Sequence, residues 1–342
     1  MSRKKPDAVS GVLVIDKHEG VTSHRIIQIL RKLYDTPRVG HTGTLDPLAT
    51  GVLPVLIGRA VKASEYVTAY DKRYIAEMKL GLTTDTEDIT GTVLSRIDPE
   101  VCGLPSYDDV ARAAERFIGE IEQIPPMYSA IKVDGRKLVD IAREGGEIKR
   151  SPRRVKVSDI AVEQISEDTY RLDVTCSKGT YIRTLCADIG AALGCGAVMS
   201  ALKRVRTGCF TLEDAHTIEE LEQLTFEERL ALPRPAETLF ADNRRVQLSD
   251  FYTKLFLCGA PLHMRKLGLH LVREGEDFET SSGEKLSPPA KPPIREGELL
   301  VMKQKDLFLG LGRAAVDADG IPVIKPEKLF YLPPAPDRES KT

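Results

Sequence analysis

The residues best suited to chemistry lie in Gly40-His41-Thr42-Gly43-Thr44-Leu45-Asp46-Pro47-Leu48-Ala49-Thr50-Gly51. Three glycines, three threonines and a proline within twelve residues make a shaped loop, and Pro47 biases Asp46 towards an extended backbone. A carboxylate held on such a loop can serve as nucleophile or base. The same Asp-Pro pair also suits a helix N-cap and its first turn, in which case Asp46 merely starts a short helix. Phosphate-binding templates fit poorly, because neither a Lys-Ser/Thr ending nor dinucleotide-loop spacing is present.

A second signal is Ser177-Lys178-Gly179-Thr180-Tyr181-Ile182-Arg183-Thr184-Leu185. Thr180 reads as a helix cap and Arg183 as the third helical position, where a capping box would carry Glu and the dipole disfavours a cation by about 0.3–1 kcal/mol. A carboxylate from elsewhere in the fold would offset that cost, and a bidentate Arg would keep it ionised and oriented. The alternative is an exposed Arg reaching water. In Asp71 to Met78, alternation puts Tyr74, Ala76 and Met78 on one face. Tyr74 is then either plain core or, over a pocket, a ring that stacks on a flipped base and a hydroxyl that handles a proton. The turn Asp85-Thr86-Glu87-Asp88 lacks calcium-loop spacing and reads as a turn held by its own side chains.

The elements that must position these groups follow from periodicity. Strands are expected at Gly11–Ile15, Val52–Ile57, Arg73–Leu82, Val155–Val162 and Tyr170–Cys176, the last two paired antiparallel. Helices are expected after Thr22 or Ser23 (buried stripe Ile26, Ile27, Ile29, Leu30, Leu33), over Arg59–Ala69, over Ser106–Ile118, and over Thr180–Leu193, ended by Gly194. Strands and helices mix without a regular βαβα rhythm, which points to an α+β domain with helices flanking the sheet. Beyond about Phe240 short strands at Leu299–Met302, Leu307–Leu311 and Leu329–Leu332 suggest a small β-rich barrel, with a Ser/Pro/Lys-rich insertion at about 280–297. The expected domains are 1–240 and 241–342.

The 342 residues suit two domains, and no apolar run approaches the ~18 residues of a membrane helix. Six scattered cysteines show no Cys-x-x-Cys pair, so neither a disulfide framework nor a metal site is indicated, and the thiols read as reduced and cytoplasmic. The formal net charge is -2, but nine Lys or Arg against four acids between Ile131 and Lys156 make a local +5. That block, with Gly135, Gly145 and Gly146, is either a solvated face or a loop-and-helix projection able to lie along a phosphate backbone.

In this order the pieces resemble the bacterial tRNA pseudouridine synthase B family, which makes the pseudouridine at position 55 of the T loop. The resemblance runs from Gly11 to Phe210 through five blocks: Gly11 to Lys17, the Gly40 to Gly51 loop, Lys72-Arg73-Tyr74 with Gly81 to Gly91, Pro125 to Lys137, and Gly179 to Leu185. It implies the pseudouridine synthase fold with a mixed, mainly antiparallel central sheet, and a C-terminal PUA-like domain. It implies that Asp46 is the catalytic aspartate, Arg183 its partner and Tyr74 the ring stacked on the target base. His41 would take the space of the flipped base, and Tyr181, Lys17 and Leu202 would line the pocket. Residues 125–152 would be an RNA-gripping thumb. The partner implied is the T arm of tRNA, handled by a cytoplasmic monomer with no cofactor, guide RNA or obligatory protein partner. His18-Glu19 departs from the family, which usually shows a proline after the lysine. Rival readings are a tRNA-folding chaperone, an activity that can also accompany catalysis, a glycosidase-like hydrolase needing a second carboxylate, and the guide-RNA-dependent relative.

Overall fold

The computed structural model describes residues 9–97, 103–129, 131–133, 135–272 and 293–331. Two compact units result, Met1–Pro233 and Arg234–Thr342. The break precedes the expected 240 boundary because Phe240 packs with the second unit, 6.2 Å from Phe308 and 6.1 Å from Phe330 between ring centroids.

In the first unit the elements run β1 (Gly11–Lys17), α1 (Ser23–Leu33), β2 (Val39–His41), β3 (Thr50–Ile57), α2 (Ser64–Thr68), β4 (Lys72–Leu80), β5 (Leu82–Thr84) and β6 (Val93–Arg96). They continue with α3 (Tyr107–Glu115), β7 (Gly119–Gln123), β8 (Lys132–Val133), β9 (Arg136–Lys137), α4 (Leu138–Arg143), β10 (Arg153–Gln164), β11 (Thr169–Cys176), α5 (Ile182–Leu193), β12 (Ala197–Thr207), β13 (Phe210–Thr211) and β14 (Ala215–His216). Ten strands form one sheet in the order β14-β1-β3-β12-β4-β11-β10-β7, with β2 on β3 and β13 on β12. All pairs are antiparallel except β1–β14 and β3–β12. The expected mixed, mainly antiparallel sheet is therefore present.

Alternation builds the sheet as read: β4 and β11 bury every second side chain, Tyr74, Ala76 and Met78 among them. Thr22 caps α1, its hydroxyl accepting from the Arg25 N–H at 3.1 Å, and Ile26, Ile27 and Leu30 seat that helix. They join one core with Leu13, Ile15, Leu53, Val55 and Ile57, where a fully buried aliphatic side chain contributes about 1.5–3 kcal/mol. Ser106 opens α3 through a capping box with Asp109. Gly81, at φ 78°, ends β4 where an L side chain would be strained.

Three expectations shift. The segment expected as one helix over Arg59–Ala69 is a 3-10 turn, Gly58–Ala63, followed by the short α2. The cap of α5 is Tyr181 rather than Thr180. Gln123 explains the move: its amide oxygen accepts from the Tyr181 N–H at 3.0 Å and its amide nitrogen donates to the Tyr181 carbonyl at 3.2 Å, while Thr180 donates to the Ser177 carbonyl. Gly194 ends the helix at φ 77°, as expected.

The second unit holds a five-stranded sheet ordered β15 (Arg245–Gln247), β19 (Leu299–Gln304), β20 (Leu307–Val316), β21 (Pro322–Leu329), β16 (Leu262–His263), with β17 (Leu271–Val272) paired to β18 (Ile294–Arg295). The third expectation to shift is its last strand, which is expected at Leu329–Leu332 and instead ends at Leu329. Phe330 and Tyr331 leave the ladder to donate both N–H groups to the Leu309 carbonyl. Most of the insertion expected at 280–297 lies outside the described residues.

Candidate active site

Asp46 sits on the loop between β2 and β3, and no helix begins there. Ser23 clamps the preceding residue, donating to the Leu45 carbonyl at 3.0 Å and accepting from its N–H at 2.9 Å. The Gly20 N–H donates to the Pro47 carbonyl at 2.8 Å. These bonds fix the backbone on either side of Asp46.

Arg183, the second residue of α5, is buried rather than open to water. Its Nη2 lies 2.9 Å from Asp46 Oδ2 and donates to the Tyr128 carbonyl at 2.9 Å; its Nη1 faces Asp88 Oδ2 at 3.6 Å. The carboxylate that the helix start demanded is thus Asp46, with Asp88 as a second. Burial pushes the Asp46 carboxyl above its ordinary range, and Asp88 adds to this. Arg183 and Lys17 pull the other way without cancelling it.

A cavity of about 250 Å³ opens beside this pair, lined by Asp46, Tyr74, Tyr181, Arg183, Leu202 and Arg204 among others. That is just under the ~300–1,000 Å³ of drug-sized sites and suits a single nucleoside. Burial raises the Tyr74 phenol above its ordinary value, while the positive charge of Arg204 opposes the rise. Lys17 and His41 are not among the residues that line this cavity. The Lys17 ammonium donates to the carbonyls of His18, Val21 and Pro47 at 2.9, 2.8 and 3.3 Å, tying β1 to the Asp46 loop. Burial lowers it to about 8, with Asp46 the chief opposing charge. His41 is half-buried, its Nδ1 sealed from solvent without a hydrogen bond, and burial lowers its pKa.

Residues 31–182 match the family model described as TruB family pseudouridylate synthase (N terminal domain), and 183–241 match tRNA pseudouridylate synthase B C-terminal domain. The chain belongs to the TruB family.

Members of this family are pseudouridine synthases, which are isomerases, and the chain is an enzyme that forms pseudouridine in tRNA. A TruB relative, tRNA pseudouridine synthase B of Chromohalobacter salexigens, is 42% identical over 269 residues, covering 78% of this chain and 86% of its own. That of Alkaliphilus oremlandii is 49% identical over 225 residues, 66% of this chain and 74% of its own. The chain has the pseudouridine synthase fold. A solved Cbf5-Nop10-Gar1 complex superposes with a TM-score of 0.64 at 25% identity, over 95% of this chain and 86% of the other. An H/ACA RNP bound to a substrate RNA containing 2'-deoxyuridine gives 0.62 at 25% identity, over 94% and 85%.

Two residues beside Asp46 and Tyr74 escaped the sequence reading. Asp88 closes its own turn as expected, accepting at Oδ1 from Thr86 Oγ1 and the Thr90 N–H at 2.9 Å each, but its other oxygen faces Arg183. Arg204, 1% exposed, is a centre of the site that no local motif announced. Its cross-strand partner on β4 is Tyr74, and that register is the one signal that could have found it. Among the described residues no three His, Cys, Asp or Glu side chains gather at metal-binding distance, and no helix is long and apolar enough to cross a membrane.

Proposed function

We propose that this enzyme isomerises uridine 55 in the T loop of tRNA, with Asp46 as nucleophile and Arg183 as its orienting partner. The observation that carries the reading is the Arg183–Asp46 contact of 2.9 Å at the edge of a nucleoside-sized cavity walled by Tyr74. A base inside an RNA stack cannot reach such a cavity, so the uridine leaves the stack and enters it, stacking on the Tyr74 ring. The Asp46 carboxylate attacks C1′ of the ribose, or removes a ribose proton, and the N1–C1′ bond breaks. The uracil turns, C5 bonds to C1′, and the C5 proton leaves to a base, the role we assign to Tyr74. His41, Lys17, Tyr181 and Leu202 complete the RNA site, His41 by filling the gap in the RNA and Lys17 by fixing the Asp46 loop. Every bond broken is replaced without redox change or hydrolysis, so the steps draw on no cofactor.

The tRNA is gripped by residues 125–152. Their β8–β9 hairpin and α4 are seated on a small apolar cluster of Met127, Leu138 and Ile141. Lys132, Lys137 and Lys149 are exposed there, as phosphate contacts require. The same grip supports tRNA folding without chemistry. We take the enzyme to act in the cytoplasm as a monomer, without a guide RNA. The test is to incubate a T-arm stem-loop with the protein and map pseudouridine by chemical modification and primer extension. Wild type should place it at one uridine; Asp46→Asn should bind and refold tRNA normally yet make none. Pseudouridine from Asp46→Asn would end the nucleophile assignment, and free uracil would point to a hydrolase.

A further inference from the structure

Arg204 is the largest fully buried side chain of the described residues, and its surroundings differ from those of Arg183. Arg183 faces two carboxylates. Arg204 instead donates to neutral oxygens, Nε to the Val52 carbonyl at 2.7 Å and Nη2 to the Gly43 carbonyl at 3.1 Å, and it shares the cavity wall with its cross-strand neighbour Tyr74. A buried cation held by dipoles alone is costly to keep. Its position accounts for it. β12 runs between β3 and β4 and sets Arg204 opposite Gly51 on one side and Tyr74 on the other. A Cβ on Gly51 would come within 2.2 Å of the Arg204 carbonyl, so the strands meet here as closely as backbones can.

We propose that Arg204 is a positioning residue for the isomerisation, acting through the Tyr74 hydroxyl on proton transfer at the uracil. The inference rests on the proposed function above. Once N1–C1′ breaks, the uracil carries the bonding pair as an anion. The Tyr74 phenol gives its proton to N1, becoming a phenolate. The uracil turns, C5 bonds to C1′ as the ribose leaves Asp46, and the phenolate takes the C5 proton. N1–H and C5–C1′ replace C5–H and N1–C1′, and no proton is gained or lost. A phenolate in a buried site needs a cation at its oxygen. The charged or titratable groups facing Tyr74 are Arg204 from β12, Cys176 from β11 and Asp46 from its loop; of these only Arg204 favours the ionised phenol. The bond to the Gly43 carbonyl lets the same guanidinium fix the Asp46 loop and the Tyr74 ring relative to each other.

The experiment compares full-length wild type, Arg204→Lys, Arg204→Met, Tyr74→Phe and the double variant Tyr74→Phe/Arg204→Met on T-arm stem-loops with hydrogen or deuterium at uridine C5. Arg204→Met should lower kcat about 10²-fold with KM little changed, and a C5 isotope effect should appear that wild type lacks. Arg204→Lys, keeping the charge, should recover part of the rate. In the Tyr74→Phe background Arg204→Met should cost almost nothing further, because its route is already cut. Additive losses, or an unchanged isotope effect in variants that melt as wild type does, would overturn the proposal. If Arg204→Met does not fold, Arg204→Lys carries the same readouts. Wild type that makes no pseudouridine at all sinks the proposed function instead.

Discussion

Arg183→Lys keeps the charge at the head of α5 and removes the fork, so it isolates what geometry contributes. One guanidinium spans Asp46 at 2.9 Å, the Tyr128 carbonyl at 2.9 Å and Asp88 at 3.6 Å. A lysine has a single nitrogen and cannot meet Asp46 and Asp88 from opposite sides. One charge-assisted contact is lost, worth about 1.5–3 kcal/mol. At roughly 2–4 °C per kcal/mol for a domain of this size, the first unit should melt about 3–12 °C lower. The larger effect is on rate. An Asp46 carboxylate free to swing by about 1 Å loses near-attack geometry, and such a misplacement costs about 10²-fold. Single-turnover pseudouridine formation on the stem-loop, alongside filter binding of tRNA, separates the two. Binding should stay near wild type while the rate falls. A variant that turns over within about threefold of wild type would refute the argument that the fork orients Asp46.

Burial holds the folded Asp46 carboxyl above its unfolded value, so its contribution to stability is present below the unfolded pKa and lost as pH rises through the folded one. Asp46→Asn, which cannot ionise, should therefore gain Tm relative to wild type as pH climbs from 4 to 8; a gap that narrows with rising pH would contradict this. For the same reason the acid limb of kcat/KM in wild type should lie above the ~3.9 of a free aspartate, and a limb at or below that value would show that Arg183 outweighs burial. Gly51→Ala should express poorly or melt several degrees lower, since its φ of 97° and the 2.2 Å approach to the Arg204 carbonyl leave no room for a methyl group; an unchanged melting curve would refute it. Lys132→Ala and Lys149→Ala should each weaken tRNA binding and reduce the salt slope by about one, with kcat at saturating tRNA unchanged.

The sequence was most informative where one residue type had one physical use. Alternation in β4 and β11, the Thr22 and Ser106 caps and the Gly194 terminus were all legible, and so was the demand of Arg183 for a distant carboxylate. What was hidden is β12. Its Lys203, Arg204 and Arg206 give no strand-like alternation of apolar and polar residues, although it lies at the centre of the sheet. Two register shifts, between Met199 and Ala201 and between Arg204 and Arg206, break the period of two that identifies a strand. The second role of Asp88 was hidden for another reason: a side chain that satisfies its own turn locally gives no sign that its other oxygen faces a helix far along the chain. The Tyr181 cap shows the same limit, because the group that moved it, Gln123, lies 58 residues away.

The bulges that hid β12 also bear on how the site is held. A regular strand sends alternate side chains to opposite faces, so Leu202 and Arg204 would share one face and Arg206 would follow them. With a shift after Arg204, Leu202 and Arg204 keep the cavity face, both lining it, while Arg206 instead donates to the Gly208 carbonyl. Deleting Val205, the residue this shift leaves unpaired, would remove the bulge and straighten the strand around Arg204, while Arg206 would still face away from the cavity. The prediction is a protein that keeps its far-ultraviolet circular dichroism but loses pseudouridine formation by more than Arg204→Lys does. A deletion variant with near wild-type turnover would mean that the irregular register of β12 is incidental to placing Arg204 beneath Tyr74.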